Sequence, residues 1–214
     1  MIIAIIDYGV GNVKSIRNAF ENQEAEVILT RERETILKAD GLVLPGVGAF
    51  SHGMDNLNKY GLVEIIKDFV KTGKPLLGIC LGMQMLLEES EEFGNSKGIG
   101  LIKGKVVKLP IKQSAQYKLP HISWNEIQPK KIKWENTILD NIEENSDMYF
   151  VHTFIAEPNN EDEILSVTKY HNQVFCSSIK KENIYGCQFH PEKSSEKGLS
   201  IINNFIKIIK KNYE

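Results

Sequence analysis

The sequence predicts a single α/β domain on a mixed, mostly parallel central sheet with flanking helices. Three observations predict it. Short β-branched runs alternate with helical patterns through the first half, as in a parallel sheet with helices on its faces. The second half is mostly strand-like, so antiparallel neighbours are expected beside the parallel ones. No repeat, low-complexity tract or long Pro/Gly/Ser linker divides the 214 residues, enough chain for one substantial core. Residues 1–214 therefore read as one domain.

The elements follow in order. Ile2 to Ile6 is an apolar run, Val13, Ile16 and Phe20 recur at helical spacing, and Ala25 to Leu29 is strand-like again. Gly41 to Leu44 is apolar and ends at Pro45. Leu62, Ile65, Ile66 and Phe69 then mark a helix that stops by Gly73, ahead of a strand over Pro75 to Ile79. Gly100 to Leu109, Met148 to Ala156, Ile164 to Tyr170, Gln173 to Ile179 and Ile184 to Phe189 all read as strands. A last amphipathic helix carries Ile201, Ile202, Phe205, Ile208 and Ile209 on one stripe, with Lys207, Lys210 and Lys211 off it. The late lysines suit its C-terminal dipole.

Charge narrows the partners. Lys plus Arg (26) nearly balances Asp plus Glu (28), so no global field draws the chain to nucleic acid or to a membrane. Lys130, Lys131 and Lys133 beside Trp134 read as a solvated loop. The apolar start is cut short at Asp7 and lacks a basic segment before it, unlike a signal peptide, which implies a cytoplasmic protein. Cys80, Cys176 and Cys187 form an odd set without a CxxC pair, against both a disulfide framework and a structural zinc site.

Cys80 follows an apolar run and precedes a helical pattern, with Gly78 and Gly82 two residues away on either side. The nucleophile-elbow pattern G-x-S-x-G has this layout: a tight strand-to-helix turn lifts the nucleophile out at the sheet edge, and the glycines remove colliding side chains. The positive end of a following helix would favour a thiolate, the attacking species. A buried structural cysteine fits the short motif as well.

The second motif tips the balance. His190-Pro191-Glu192 ends a strand, and residues two apart in extended backbone share a side. Glu192 can then hold one imidazole nitrogen while the other faces Cys80. A thiol needs a base, and a carboxylate behind the imidazole fixes its tautomer and stabilises the imidazolium. Cys80, His190 and Glu192 are thus the candidate catalytic set. A zinc site on the same residues lacks a second histidine or cysteine at ligand spacing, so no metal is expected. Gly9 and Gly11 hint at a dinucleotide loop, but Lys14 stands where that template needs its third glycine.

Gly78-Ile79-Cys80-Leu81-Gly82-Met83-Gln84, taken with Gln188-Phe189-His190-Pro191-Glu192-Lys193-Ser194, resembles the signature pair of the triad-type (class I) glutamine amidotransferases. Asp7 to Ser15, Leu44 to Phe50, Pro120 to Asn125 and Tyr149 to Phe154 are similar to the glutaminase subunits of imidazole glycerol phosphate synthase, nearly end to end. The resemblance implies a flavodoxin-like core and hydrolysis of L-glutamine through a cysteine thioester, without a cofactor. It also implies backbone oxyanion donors at Val47 and Leu81, and substrate contacts at Gly48, Gln84, His152 and Thr153. The implied partner is a β/α-barrel (HisF-like) cyclase subunit in a heterodimer, which uses the ammonia to make imidazole glycerol phosphate and AICAR in histidine biosynthesis. Ser123 replaces the family's small glycine, and Thr153-Phe154 its usual Ser-Tyr. The partner therefore stays open to an alternative, the same chemistry feeding a sugar amidotransferase in surface-polysaccharide synthesis; a catalytically silent regulatory subunit is a separate alternative, against which the intact Cys80, His190 and Glu192 set argues.

Overall fold

The computed structural model of the chain describes residues 1–9, 13–23, 25–111 and 118–211; Gly11 of the rejected dinucleotide reading lies outside them. Its first half is the expected alternation. Strands β1 (Ile2–Ile6), β2 (Glu26–Thr30), β3 (Gly41–Leu44) and β4 (Leu76–Ile79) are separated by helices α1 (Val13–Glu21), α2 (Arg33–Lys38), α3 (Phe50–Lys59) and α4 (Leu62–Lys71). The four strands lie side by side in the order β2-β1-β3-β4, all parallel. The last strand of the chain, β13 (Ile184–Cys187), joins them parallel to β4.

Side chains that alternate along a strand decide which helices cover which face. Ile3, Ile5, Val43, Leu77 and Ile79 point into one cluster with Ile16 and Phe20 of α1 and with Ile201 and Phe205 of the C-terminal helix α6 (Ser195–Lys211). Ala4, Ile6, Leu42 and Leu44 point the other way, against Phe50, Leu57, Leu62, Ile66 and Phe69. Every residue of β3 and β4 is buried, which is why these strands read as continuous apolar runs rather than alternating ones. Phe20 meets Phe205 edge-on with centroids 6.2 Å apart. Each such fully buried aromatic or branched side chain contributes roughly 1.5–3 kcal/mol.

The second half departs from the sequence expectation in its boundaries. The run Met148 to Ala156 is two strands, β9 (Ser146–His152) and β10 (Phe154–Pro158), broken at Thr153. They serve different neighbours: β9 pairs with β8 (His121–Pro129), while β10 pairs with β7 (Gly104–Lys108) and β12 (Gln173–Lys181). Continuous hydrophobicity conceals such a switch, because both segments bury one face. Strand β8 is absent from the sequence reading, since polar His121, Ser123 and Asn125 lie on its inward face while Ile122 and Trp124 face outward, which reverses the usual alternation. The Gly100-to-Leu109 run pairs only from Gly104, where the backbone turns through φ 134°. A side chain on that glycine would lie 2.3 Å from the Glu157 carbonyl oxygen. Strand β11 (Ile164–Tyr170) bridges β12 and β8, antiparallel to both, so the sheet is mixed as expected. Short β5 (Glu89–Ser90) and β6 (Ser96–Lys97) complete its far edge. Among the described residues, no helix is long and apolar enough to cross a membrane.

Candidate active site

The site lies where β4 and β13 end. Cys80 follows β4 directly, with φ 53° and ψ −112°, a backbone state that costs about 1–3 kcal/mol for a residue with a side chain. Packing holds it there. The Cys80 N–H donates to the Cys187 carbonyl at 2.7 Å, tying the turn to the end of β13. The two flanking glycines are required for space rather than for flexibility. A Cβ on Gly78 would lie 2.8 Å from the Met83 nitrogen, and one on Gly82 would lie 1.9 Å from the Leu44 carbonyl oxygen. Helix α5 (Leu81–Met85) that follows is only five residues long. It is shorter than the helical pattern expected from the sequence, and its dipole is correspondingly a single turn's worth.

His190 sits just past β13, fixed by its own N–H to the Tyr149 carbonyl at 3.0 Å. Its Nδ1 faces Glu192 Oε1 at 2.8 Å, with both side chains buried. The contact forms differently from the extended-strand geometry expected. Only His190 is extended; Pro191–Lys193 make a 3₁₀ turn that swings the carboxylate back under the imidazole. Ser194 locks that turn. Its hydroxyl donates to the His190 carbonyl at 2.7 Å and accepts the Tyr149 N–H at 3.0 Å.

Burial works against a charged imidazole here, but Cys80 and Glu192 outweigh it and raise the His190 pKa to about 10. The sulfur is therefore an electrostatic neighbour of the imidazole. In this resting arrangement Nε2 of His190 lacks a hydrogen bond of normal geometry. The thiol instead makes weak contacts, donating to the Val151 carbonyl at 3.9 Å and accepting from Gln188 Nε2 at 3.8 Å.

These groups open on a cavity of about 270 Å³, below the roughly 300–1,000 Å³ of pockets for drug-sized ligands and suited to something the size of an amino acid. Val47, Gly48, Leu81, Gln84, His152 and Thr153 line it together with Cys80 and His190. Every residue expected at the site is thus brought there, with Glu192 alone standing behind the imidazole rather than at the wall. Leu81 opens a helix, so its N–H has no intrahelical acceptor. Gly48, at φ 98°, turns the loop that carries Val47 toward the cavity. Gly46 packs so closely that a Cβ there would lie 2.6 Å from the Gly82 nitrogen.

Two expectations are refined. Gln84 is buried, and its Nε2 is already committed to the Phe154 carbonyl and to Gln188 Oε1, each at 2.9 Å. Its oxygen is the atom left for a ligand, which must then donate. His152 is neutral: burial, with His121 next to it, pushes its pKa down to about 3. Residues to which the sequence assigned no role also belong to the site. Glu92 lines the cavity and accepts the Phe50 N–H at 2.7 Å, but it lies in a loop between two-residue strands and no local pattern marks it. Buried Tyr8 props the Pro45 carbonyl with its hydroxyl at 2.7 Å, and its own ionisation is suppressed by burial and by Cys80.

A thiol and an imidazole backed by a carboxylate, beside the first N–H of a helix at an amino-acid-sized cavity, make a site suited to acyl transfer. Comparison with known proteins agrees. Residues 4–209 match the family described as glutamine amidotransferase class-I. The imidazole glycerol phosphate synthase subunit HisH 1 of Legionella pneumophila (strain Lens) is 51% identical over 210 residues, covering 96% of this chain and 99% of the relative. The HisH subunit of Halalkalibacterium halodurans is 42% identical over 212 residues, covering 98% and 97%. In fold, the chain is similar to a chain in the structure of PurLQS from Thermotoga maritima, with a TM-score of 0.71, 17% identity, and coverage of 96% of this chain and 97% of that one. The chain belongs to the class-I glutamine amidotransferases and, within them, to the family of the HisH subunits.

Proposed function

We propose that this chain is the glutaminase subunit of an imidazole glycerol phosphate synthase, hydrolysing L-glutamine and passing ammonia to a β/α-barrel (HisF-like) cyclase subunit in the cytoplasm. The observation that carries the proposal is the convergence of Cys80 and the His190–Glu192 pair on one cavity. In this reading His190 takes the thiol proton, and the Cys80 sulfur forms a bond to the side-chain amide carbon of glutamine. The carbonyl electron pair moves onto oxygen, and the N–H groups of Leu81 and Val47 hold that oxyanion. His190 returns the proton to the amide nitrogen as the C–N bond breaks, which releases ammonia and leaves a glutamyl thioester. A water deprotonated by His190 attacks the thioester, glutamate leaves, and the thiol is restored. Glu192 keeps the imidazole in register and stabilises its charged form throughout.

Substrate contacts follow from the polar groups of the cavity. Gln84 Oε1 can accept from the ligand, and the carboxylate of Glu92 faces the same space, suited to the α-ammonium of an amino acid. The names of its relatives favour histidine synthesis over delivery of ammonia to a sugar amidotransferase. The test is a complex reconstituted with the cyclase subunit. Cys80→Ala abolishes synthesis driven by glutamine and spares synthesis driven by an ammonium salt. Loss of both in a folded complex, or of neither, contradicts the proposal.

A further inference from the structure

A chain of hydrogen bonds runs inward from strand β8 to the cavity, and its inner end fixes the proton on His152. His121 and His152 are directly opposed across the β8–β9 pair. His152 Nδ1 lies 2.9 Å from the Phe154 carbonyl, which can only accept, so Nδ1 carries the proton. His152 is neutral, so its Nε2 is a bare lone pair. That lone pair is 2.9 Å from His121 Nδ1, which must then be the donor. His121 Nε2 in turn faces the Ser123 hydroxyl at 2.9 Å and the Asn125 amide oxygen at 2.7 Å, and the Ser123 hydroxyl donates to that same oxygen. Either can donate to it once the amide presents its NH₂ end.

At the inner end, the Phe154 carbonyl accepts a second hydrogen bond, from Gln84 Nε2, and Gln84 also donates to Gln188, whose own Nε2 contacts the Cys80 sulfur. One carbonyl thus joins the histidine pair to the groups that surround the nucleophile. The alternative tautomer of His152 would set a nitrogen lone pair against the carbonyl oxygen at 2.9 Å, repel the first residue of β10 and disturb Gln84 with it.

We propose that His121 is a positioning residue for glutamine hydrolysis: its Nδ1–H holds His152 in the tautomer that anchors the Phe154 carbonyl and, through it, Gln84. This rests on the glutaminase reading above. The competing role for His121 is packing, because its ring stacks on Tyr170 with centroids 3.9 Å apart and on Phe150 at 5.2 Å. Two substitutions separate the roles. His121→Phe keeps a stacking ring and donates nothing; His121→Asn loses the ring but places an amide N–H where Nδ1 was.

The experiment measures glutamine hydrolysis by the complex with the cyclase subunit, and the ¹⁵N resonances of the histidines in the full chain. In the wild type, His152 shows a protonated Nδ1 and a bare Nε2. His121→Phe removes that pattern and lowers kcat/KM about tenfold or more, mostly through KM because Gln84 borders the substrate. His121→Asn retains the pattern and stays within about threefold of wild type. The reverse ranking, equal activity of both variants with wild type, or loss in both overturns the proposal. A wild-type complex that hydrolyses no glutamine refutes the glutaminase reading, whereas a wild-type His152 with bare Nδ1 refutes this inference whatever the activity.

Discussion

At the scale of single residues, the site depends on how firmly a buried imidazole holds the proton that it accepts. The His190 pKa is raised to about 10, against burial, by Cys80 and Glu192. In the unfolded chain it returns to about 6.5. A raised folded pKa means that the native state binds the proton more tightly, so the contribution to stability is complete below about pH 6.5 and is lost as pH rises toward 10. Glu192→Gln removes one of the two groups responsible. Chemical denaturation should therefore show the largest stability deficit of Glu192→Gln relative to wild type near pH 6, shrinking as pH approaches 10. A deficit that grows with pH contradicts the assignment. Glu92→Gln should raise KM for glutamine about tenfold and leave turnover of the analogue lacking the α-amino group unchanged. An equal effect on both substrates would show that Glu92 supports the loop, through Phe50, rather than the ligand.

At the scale of elements, the turn at Cys80 is a problem of close packing. Gly82 lies so near the end of β3 that an added methyl would sit 1.9 Å from the Leu44 oxygen, and backbone on both sides leaves little room for relaxation. Gly82→Ala should cost about 1–3 kcal/mol, seen as a lower denaturant midpoint at unchanged slope; an unchanged midpoint would mean that the elbow can widen. This turn was legible in the sequence because its requirements are local: two glycines, an apolar strand and a cysteine within five positions. The His190–Glu192 contact was legible as a pairing but not as a geometry, since the 3₁₀ turn at Pro191–Lys193 depends on Ser194 bonding across to β9. The parallel half of the sheet was legible because burial on both faces leaves unbroken apolar runs. The break at Thr153 and the presence of β8 were not, for they depend on which strand each segment meets. Glu92 and Tyr8 were silent for the same reason. Their roles come from elements brought together over 42 residues between Glu92 and Phe50 and 37 between Tyr8 and Pro45, and no short pattern records such a distance.

At the scale of the whole molecule, two cores on opposite faces of one sheet hold the site at the sheet's edge, and the entrance is completed by the antiparallel half. Ile122 and Trp124 stand exposed on β8, and Phe93 projects from the loop that carries Glu92. Apolar side chains left outside in this way suit a surface that a partner covers, in keeping with a subunit rather than a self-sufficient enzyme. Trp124→Ala should leave the isolated chain folded and weaken binding of the cyclase subunit by about 2 kcal/mol in calorimetry; unaltered affinity would move the interface elsewhere. Glutamine hydrolysis at this site requires Cys80 as nucleophile and His190 as its base, and that pairing can be checked directly. An electrophilic glutamine analogue is incubated with the complex, and the adduct is mapped by peptide mass spectrometry. A single adduct is expected, on Cys80, with its rate of formation lowered at least about a hundredfold in His190→Asn. Labelling of Cys176 or Cys187 instead, or equal labelling of Cys80 in the two proteins, would contradict it.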